Sequence, residues 1–378
     1  MRHAHQKNVF GDACAHAPET QGIKYIGSKL KLLPHILSLV DGLQIKRVFD
    51  GFSGSTRVSQ AFAQLGYQVA SNDIADWSHT LGVCFLKNRK RRAHYNDLIN
   101  HLNALRGYDG WFTENYGGLD YDGCAVQKDG SKKPWQIHNT RKLDAIRDEI
   151  DVLNLSVVEK SVALTALLIA MDDVDSTLGH YSSYLKEWSP RSYKKMRLKV
   201  PNVSPNTQDH QVIQGDVFDA LGDITADFCY FDPPYGSSNE KMPPSRVRYA
   251  AYYHVWKTII RNDRPMLFGK ASRRADTSDT LCNSPFEEFR KDDDGRFISI
   301  NAVDRLIQSA QSKYIALSYH SNGRSTREEL LDVISKHGKP LKIVEVDHKT
   351  NVMAHMRWTN EWLNGHASNR EYLFLIEK

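Results

Sequence analysis

The sequence predicts a three-layer α/β fold whose sheet is interrupted once by a large, partly helical insertion. Two observations predict the sheet and a third predicts the insertion. Between Lys46 and Asp73 come a short strand, a glycine-containing turn, a helix, a second strand and a closing acid, the order of a βαβ unit. From His210 onward, strands and helices alternate again to the C-terminus. From Trp77 to about Pro201 that rhythm gives way to basic, aromatic and glycine-rich stretches.

In chain order, the first twenty residues show no hydrophobic periodicity and read as a flexible tail. Its His3, His5, Cys14 and His16 lack a second cluster at metal-ligand spacing. "LKLLPHILSLV" reads as a helix and "KRVFD" as a strand. "TRVSQAFAQLGY" is a helix with Val58, Ala61, Phe62 and Leu65 on one face and Gly66 at its end. "QVASND" is a strand ending at Asp73. In the insertion, "LKNRKRRAHYNDL" gathers Lys87, Arg89, Lys90, Arg91 and Arg92. A helical hairpin is expected from "TRKLDAIRDEIDVL" and Val157–Met171, followed by the basic, aromatic "HYSSYLKEWSPRSYKKMRLKVP". Then "HQVIQGDVFDAL" gives a strand and a turn at Asp216, and "DFCYF" a buried strand. "YAAYYHVWKTIIR" is a helix, "RPMLFGK" a strand, and "AVDRLIQSAQ" with "YIALSYHSNGR" a helix–strand pair. "TREELLDVISKHG", "KIVEVDH" and "EYLFLIEK" complete the sheet. The expected division is a tail over 1–20, a core over 21–76 and 206–378, and an insertion over 77–205.

At 378 residues, 40% hydrophobic and 25% charged, the composition is that of a soluble globular protein. The net charge of +5 does not by itself identify a partner. Cys14, Cys84, Cys124, Cys229 and Cys282 are scattered and contain no CxxC pair, so reduced, cytoplasmic thiols are expected and no zinc ribbon or disulfide framework. The longest apolar helical segment, from Val157, contains Glu159 and Lys160 and is too short to cross a bilayer; no signal-peptide core precedes the fold.

The chemistry gathers at strand ends. In "YFDPPYG" (230–236) two prolines stop ladder pairing and stiffen the chain, leaving the Asp232 carboxylate, a fixed carbonyl and the Tyr235 ring together. Ligands of open α/β sheets bind at such ends. Asp50, Asp73 and Asp216 close neighbouring strands, and "DGFSGSTR" supplies a turn of small residues before a helix N-terminus. Each acid alone is an ordinary cap or turn residue; their convergence is the signal. A carboxylate and a carbonyl can both accept hydrogen bonds from one exocyclic amine, localising its lone pair for attack while a ring stacks on the base. A sulfonium methyl would be the electrophile, with no metal and no cysteine required. A base within a duplex would have to be flipped out.

These motifs resemble the Dam-like, alpha-group N6-adenine DNA methyltransferases, a class I fold with a Rossmann-like sheet, over most of the chain from Gln21. "KYIGSK" (24–29) resembles the family's K-[WY]-x-G-x-K, and "DGFSGST" its FxGxG loop, with Thr56 where the last glycine is usual and Gly51 where proline is often found. "DPPY" matches in full. The resemblance implies S-adenosylmethionine held by Tyr25, Lys29, Asp50, Phe52, Ser53, Gly54, Ser55, Thr56, Asp73, Asp216, Val217 and Asp232. It implies catalysis by Asp232, Pro233, Pro234 and Tyr235, and a target-recognition role for the insertion. There Lys87, Arg89, Lys90, Arg91, Arg92, Arg191, Lys194 and Lys195 are the expected nucleic-acid contacts. It further implies duplex DNA as partner in a prokaryotic or phage-type setting, with no membrane; a cognate restriction endonuclease is an open option that the chain does not reveal, and a monomer is the default expectation for an oligomeric state left open. "GSSNEKMPPSRVRYAAYYH" would cover the flipped base, and "SYHSNGR" would flank its pocket. Two other readings stay open: the same chemistry on RNA adenine, and a catalytically silent DNA-binding regulator on this scaffold.

Overall fold

The computed structural model describes residues 17–236, 249–278, 284–288, 290–347 and 370–378. The expected tail histidines and most of the "GSSNEKMPPSRVRYAAYYH" segment lie outside the described residues. β1 (Arg47–Asp50) runs mid-sheet; α1 (Arg57–Gln64) returns the chain to β2 (Gln68–Asp73), and α2 (Asp76–Leu86) leads into the insertion. The insertion is built on α3 (Asn96–Ala104), α4 (Ile137–Val152) and α5 (Val157–Asp172). The sheet resumes with β3 (Gln211–Gln214), α6 (Val217–Asp223) and β4 (Phe228–Phe231). After α7 (His254–Arg261) and α8 (Ile298–Ser309) come β5 (Tyr314–His320), α9 (Arg327–His337), β6 (Lys339–Asp347) and β7 (Arg370–Glu377).

The spatial order is β6-β7-β5-β4-β1-β2-β3. All pairs are parallel except those of β7, which runs antiparallel to both neighbours. This is the class I methyltransferase sheet. The order reverses between β1 and β4, so a crevice opens at their C-terminal ends.

Period-two alternation explains the three layers. Val48, Phe228, Tyr230, Ala316 and Leu373 face a core with Leu33, Ile36, Val58 and Phe62. Their neighbours Phe49, Cys229, Phe231, Leu317 and Phe374 face the opposite core with α6, α8 and α9. A third core joins Trp135, Leu143 and Leu167 of the insertion to Trp256 of α7. α5 starts on a capping box in which Ser156 and Glu159 satisfy each other's N–H groups.

Several expectations are modified. Residues 17–20, grouped with the tail, are docked: Thr20 is buried and its carbonyl accepts from Arg57. The first helix is a 3₁₀ turn, Lys29–Lys31, and a short helix, Leu33–Leu37, whose first turn Pro34 permits. "RPMLFGK" adds no strand to the main sheet. Leu267–Phe268 instead pairs with Arg273–Arg274 in a separate hairpin, because that turn is tied to the insertion through Tyr116 and Tyr184 hydroxyls on the Ser272 and Ala271 carbonyls. α7 also packs on the insertion: the buried Arg147 of α4 donates to the carbonyls of Ile259 and Ile260.

Candidate active site

A cleft of about 450 Å³ lies at the crevice, with Asp50, Asp73, Asp216 and Asp232 on its walls beside Tyr25 and Phe286. Its floor is backbone. A Cβ on Gly51 would sit 2.8 Å from the Phe231 ring, so β4 can approach only a glycine here. Gly54 has φ +45°, and its N–H donates to Asp73 Oδ2 at 2.8 Å. Ala75 donates to the other oxygen at 2.9 Å. Burial lifts the Asp73 carboxyl above the usual range, opposed by these N–H groups. Thr56, where the family uses glycine, takes the same left-handed conformation at φ 59°. Its hydroxyl accepts from Gln60 Nε2 at 2.9 Å, a local bond that helps hold the strained turn.

Asp50 is fully buried. Ser59 donates to its Oδ2 at 2.6 Å, while Oδ1 has no partner among the described residues. Burial, only partly offset by Ser59, pushes its carboxyl up to about 7. Asp216 caps α6 through the Phe218 N–H at 2.8 Å and also lines the cleft, so the bland and the functional assignments coexist. Tyr25 is packed 5.4 Å from Trp77 and 4.9 Å from Tyr253, an aromatic wall for the same cleft. Phe52 meets Phe286 edge-on at 5.2 Å. Ser53 N–H donates to the Asn72 carbonyl, and its hydroxyl lies 3.2 Å from that of Ser78. Ser55 and Val217 are buried against the same floor.

At the deep end, Lys29 Nζ lies 3.0 Å from Asp232 Oδ1 and 3.0 Å from Glu371 Oε1. The side chains of Lys29 and Glu371 are only 7% and 3% exposed, so water screens the cluster little. Tyr235 does not present its ring as a free stacking face. Its hydroxyl is turned inward onto Asp232 Oδ1, Glu371 Oε1 (2.6 Å) and Lys29 Nζ (2.8 Å). Two carboxylates against one ammonium leave spare acceptor capacity, which the phenol satisfies. Burial opposes the charge of Lys29, but the two acids outweigh it and hold the ammonium above the usual lysine range. Burial lifts Asp232 to about 6; Lys29 pulls it down and Glu371 pushes it up. Burial also pushes Glu371 upward, yet Lys29 and the Tyr235 hydroxyl prevail and hold it below its usual value.

Glu371 is not singled out from the sequence, and Ser318, which donates to it at 2.8 Å, is marked there only as part of "SYHSNGR". The signal was there: Glu371 shares its strand face with Leu373 and Leu375, so a carboxylate stands on the apolar parity of a central strand.

Four of the eight basic residues expected to meet nucleic acid bond to the protein's own groups. Lys87 is half-buried and donates to the His210 carbonyl at 2.7 Å. Arg89 reaches Asp209 and the Asn206 carbonyl. Arg92 donates twice to the Val200 carbonyl. Arg191 pairs with the buried Asp175 at 2.5 Å and donates to the Asp175 and Thr177 carbonyls. Irregular segments leave carbonyls without ladder partners, and these side chains satisfy them. Lys90, Arg91, Lys194 and Lys195 are exposed, as are Arg89 and Arg92 despite their bonds to the protein's own carbonyls.

Residues 25–284 match a family model described as D12 class N6 adenine-specific DNA methyltransferase. The chain is 27% identical over 321 residues to modification methylase StsI of Streptococcus sanguinis, covering 83% of this chain and 46% of that protein. It is 25% identical to type II methyltransferase M.FokI of Planomicrobium okeanokoites, over 94% of this chain and 53% of the relative. The chain thus spans about half the length of these two relatives. With type II methyltransferase M.NlaIII of Neisseria lactamica it shares 26% identity over 94% of this chain and 99% of the relative.

Proposed function

This chain belongs to the D12 class N6 adenine-specific DNA methyltransferase family, and from that premise we propose that it methylates adenine N6 at a specific site in duplex DNA, with the base flipped into the cleft. The observation that carries the reading is Asp232 at the cleft wall, held by Lys29 and backed by Glu371. The cleft suits S-adenosylmethionine: its floor is bare glycine backbone, its walls are aromatic, and Asp50 Oδ1 and Asp73 offer acceptors for polar ends. Tyr25, Asp50, Phe52, Gly54, Asp73, Asp216 and Val217 would hold it, with Ser53, Ser55 and Thr56 shaping the turn. When bound, that cofactor supplies a methyl carbon on a sulfonium that leaves as a neutral thioether.

Asp232 accepts one N–H of the adenine amine, and the rigid Pro233–Pro234 backbone offers a carbonyl to the other. Both bonds draw the lone pair of N6 out of conjugation toward the methyl carbon. As the carbon–nitrogen bond forms, N6 becomes cationic and sheds a proton toward Asp232. One ammonium and two carboxylates leave the cluster with one negative charge in excess, which favours that developing cation. Glu371 acts through Lys29: by sharing the ammonium it keeps Asp232 a strong acceptor. Tyr235 must release Asp232 for the amine to bind, and the freed ring then stacks on the base.

We read the chain as the modification partner of a cognate endonuclease, acting as a monomer in the DNA-bearing compartment of a prokaryote or phage-infected cell. Replacing Asp232 with Ala tests the catalytic reading. Methyl transfer should fall by on the order of 10²–10³-fold, with duplex affinity kept. A wild-type chain that binds DNA but transfers nothing would instead mark a silent regulator.

A further inference from the structure

The segment after Arg191 is built differently from its surroundings. From Lys195 to Val200 burial alternates: Met196, Leu198 and Val200 are buried, while Lys195, Arg197 and Lys199 are exposed. Among the described residues no strand pairs with this stretch; side-chain amides replace the ladder. Asn139 of α4 accepts from the Met196 N–H at 2.8 Å and donates to the Lys194 carbonyl at 2.9 Å. Asn103 of α3 accepts from the Leu198 N–H at 2.9 Å and donates to its carbonyl at 3.0 Å. Arg92 then holds the Val200 carbonyl. An extended chain pinned in this way carries alternate side chains on one side, roughly 6.6 Å apart.

The two ends of this ribbon meet the other basic groups. Arg92 at its far end brings along the exposed Lys90 and Arg91. At its near end Arg191 pairs with Asp175, which also pairs with Lys24 at 3.5 Å, next to the cleft residue Tyr25.

We propose that Lys195, Arg197 and Lys199 form a preorganised phosphate-binding ribbon that grips the backbone of duplex DNA beside the cleft. Fixing the backbone beforehand lowers the ordering cost of binding, and three cations on one side complement a phosphate strand. Anchored cations such as Arg191 and Arg92 position this ribbon and do not themselves grip. The inference rests on the DNA reading above but can fail separately from it.

The test measures duplex affinity against salt for the wild type, K195Q/R197Q/K199Q and the charge-keeping K195R/R197K/K199R. The Gln variant should bind on the order of 10- to 100-fold more weakly at 0.1 M salt, its log–log salt slope smaller by up to about 2.7. The charge-keeping variant should retain the wild-type slope. An unchanged slope in the Gln variant, beside a wild type that methylates DNA, would overturn the ribbon and leave the methyltransferase reading standing. The expected slope change in a protein that transfers no methyl group would support the ribbon and sink that reading. Loss of affinity for structured RNA alone, with duplex binding intact, would also overturn the ribbon.

Discussion

Lys29 and Lys199 bring the same ammonium into two settings. Lys29 is walled in by Asp232, Glu371 and Tyr235, where little water screens it and the protonation of both carboxylates depends on it. Lys199 stands exposed on a ribbon whose shape is set by Asn103 and Asn139, not by its own charge. The difference teaches that charges here follow two rules. In the cluster, removing one group leaves others uncompensated; on the ribbon, a loss is felt only through a phosphate partner and salt screens it.

The strongest way to break this contrast is Lys29→Ala. It leaves Asp232 and Glu371 facing each other without a cation, and stability should fall by about 3–5 kcal/mol, read as a drop in denaturation midpoint. A variant as stable as the wild type would show that the cluster is solvated after all. Glu371→Gln is milder and more specific. Asp232 must be ionised to accept the amine, and Glu371 raises its pKa, so kcat/KM for DNA should climb through about pH 6 in the wild type. Removing the carboxylate of Glu371 removes that upward push, so the acid limb of the variant should move to lower pH while its plateau falls. A limb that stays in place would deny the coupling.

Smaller effects sharpen the other half. Arg191→Gln strips the buried Asp175 of its 2.5 Å partner and should lower stability, although Lys24 still faces that acid. Lys199→Gln should leave the unfolding free energy within about 0.5 kcal/mol of the wild type and reduce the salt slope of DNA binding by roughly 0.9. If both substitutions changed only the salt slope, the distinction between anchoring and gripping cations would be wrong.

Much of this was legible in the sequence. β1, α1, β2 and β4 are short, strongly patterned elements, and Asp50, Asp73, Asp216 and Asp232 end or follow strands of one sheet. What failed to show has a common cause. Whether a lysine or arginine is spent on the protein's own carbonyls depends on which irregular segment packs beside it, as with Arg92 and Val200, 108 residues apart. Likewise Glu371 reaches Lys29 only because β7 inserts beside β5, a pairing set by the whole sheet. The inward turn of Tyr235 depends on that same distant carboxylate.

The most direct test of the central claim is transfer of labelled methyl groups from S-adenosylmethionine to unmethylated duplex DNA, structured RNA and cytosine-only controls, followed by digestion to nucleosides. Label in N6-methyldeoxyadenosine from the duplex is the predicted result. Label confined to RNA or to cytosine, or to no nucleic acid despite bound cofactor, would contradict it.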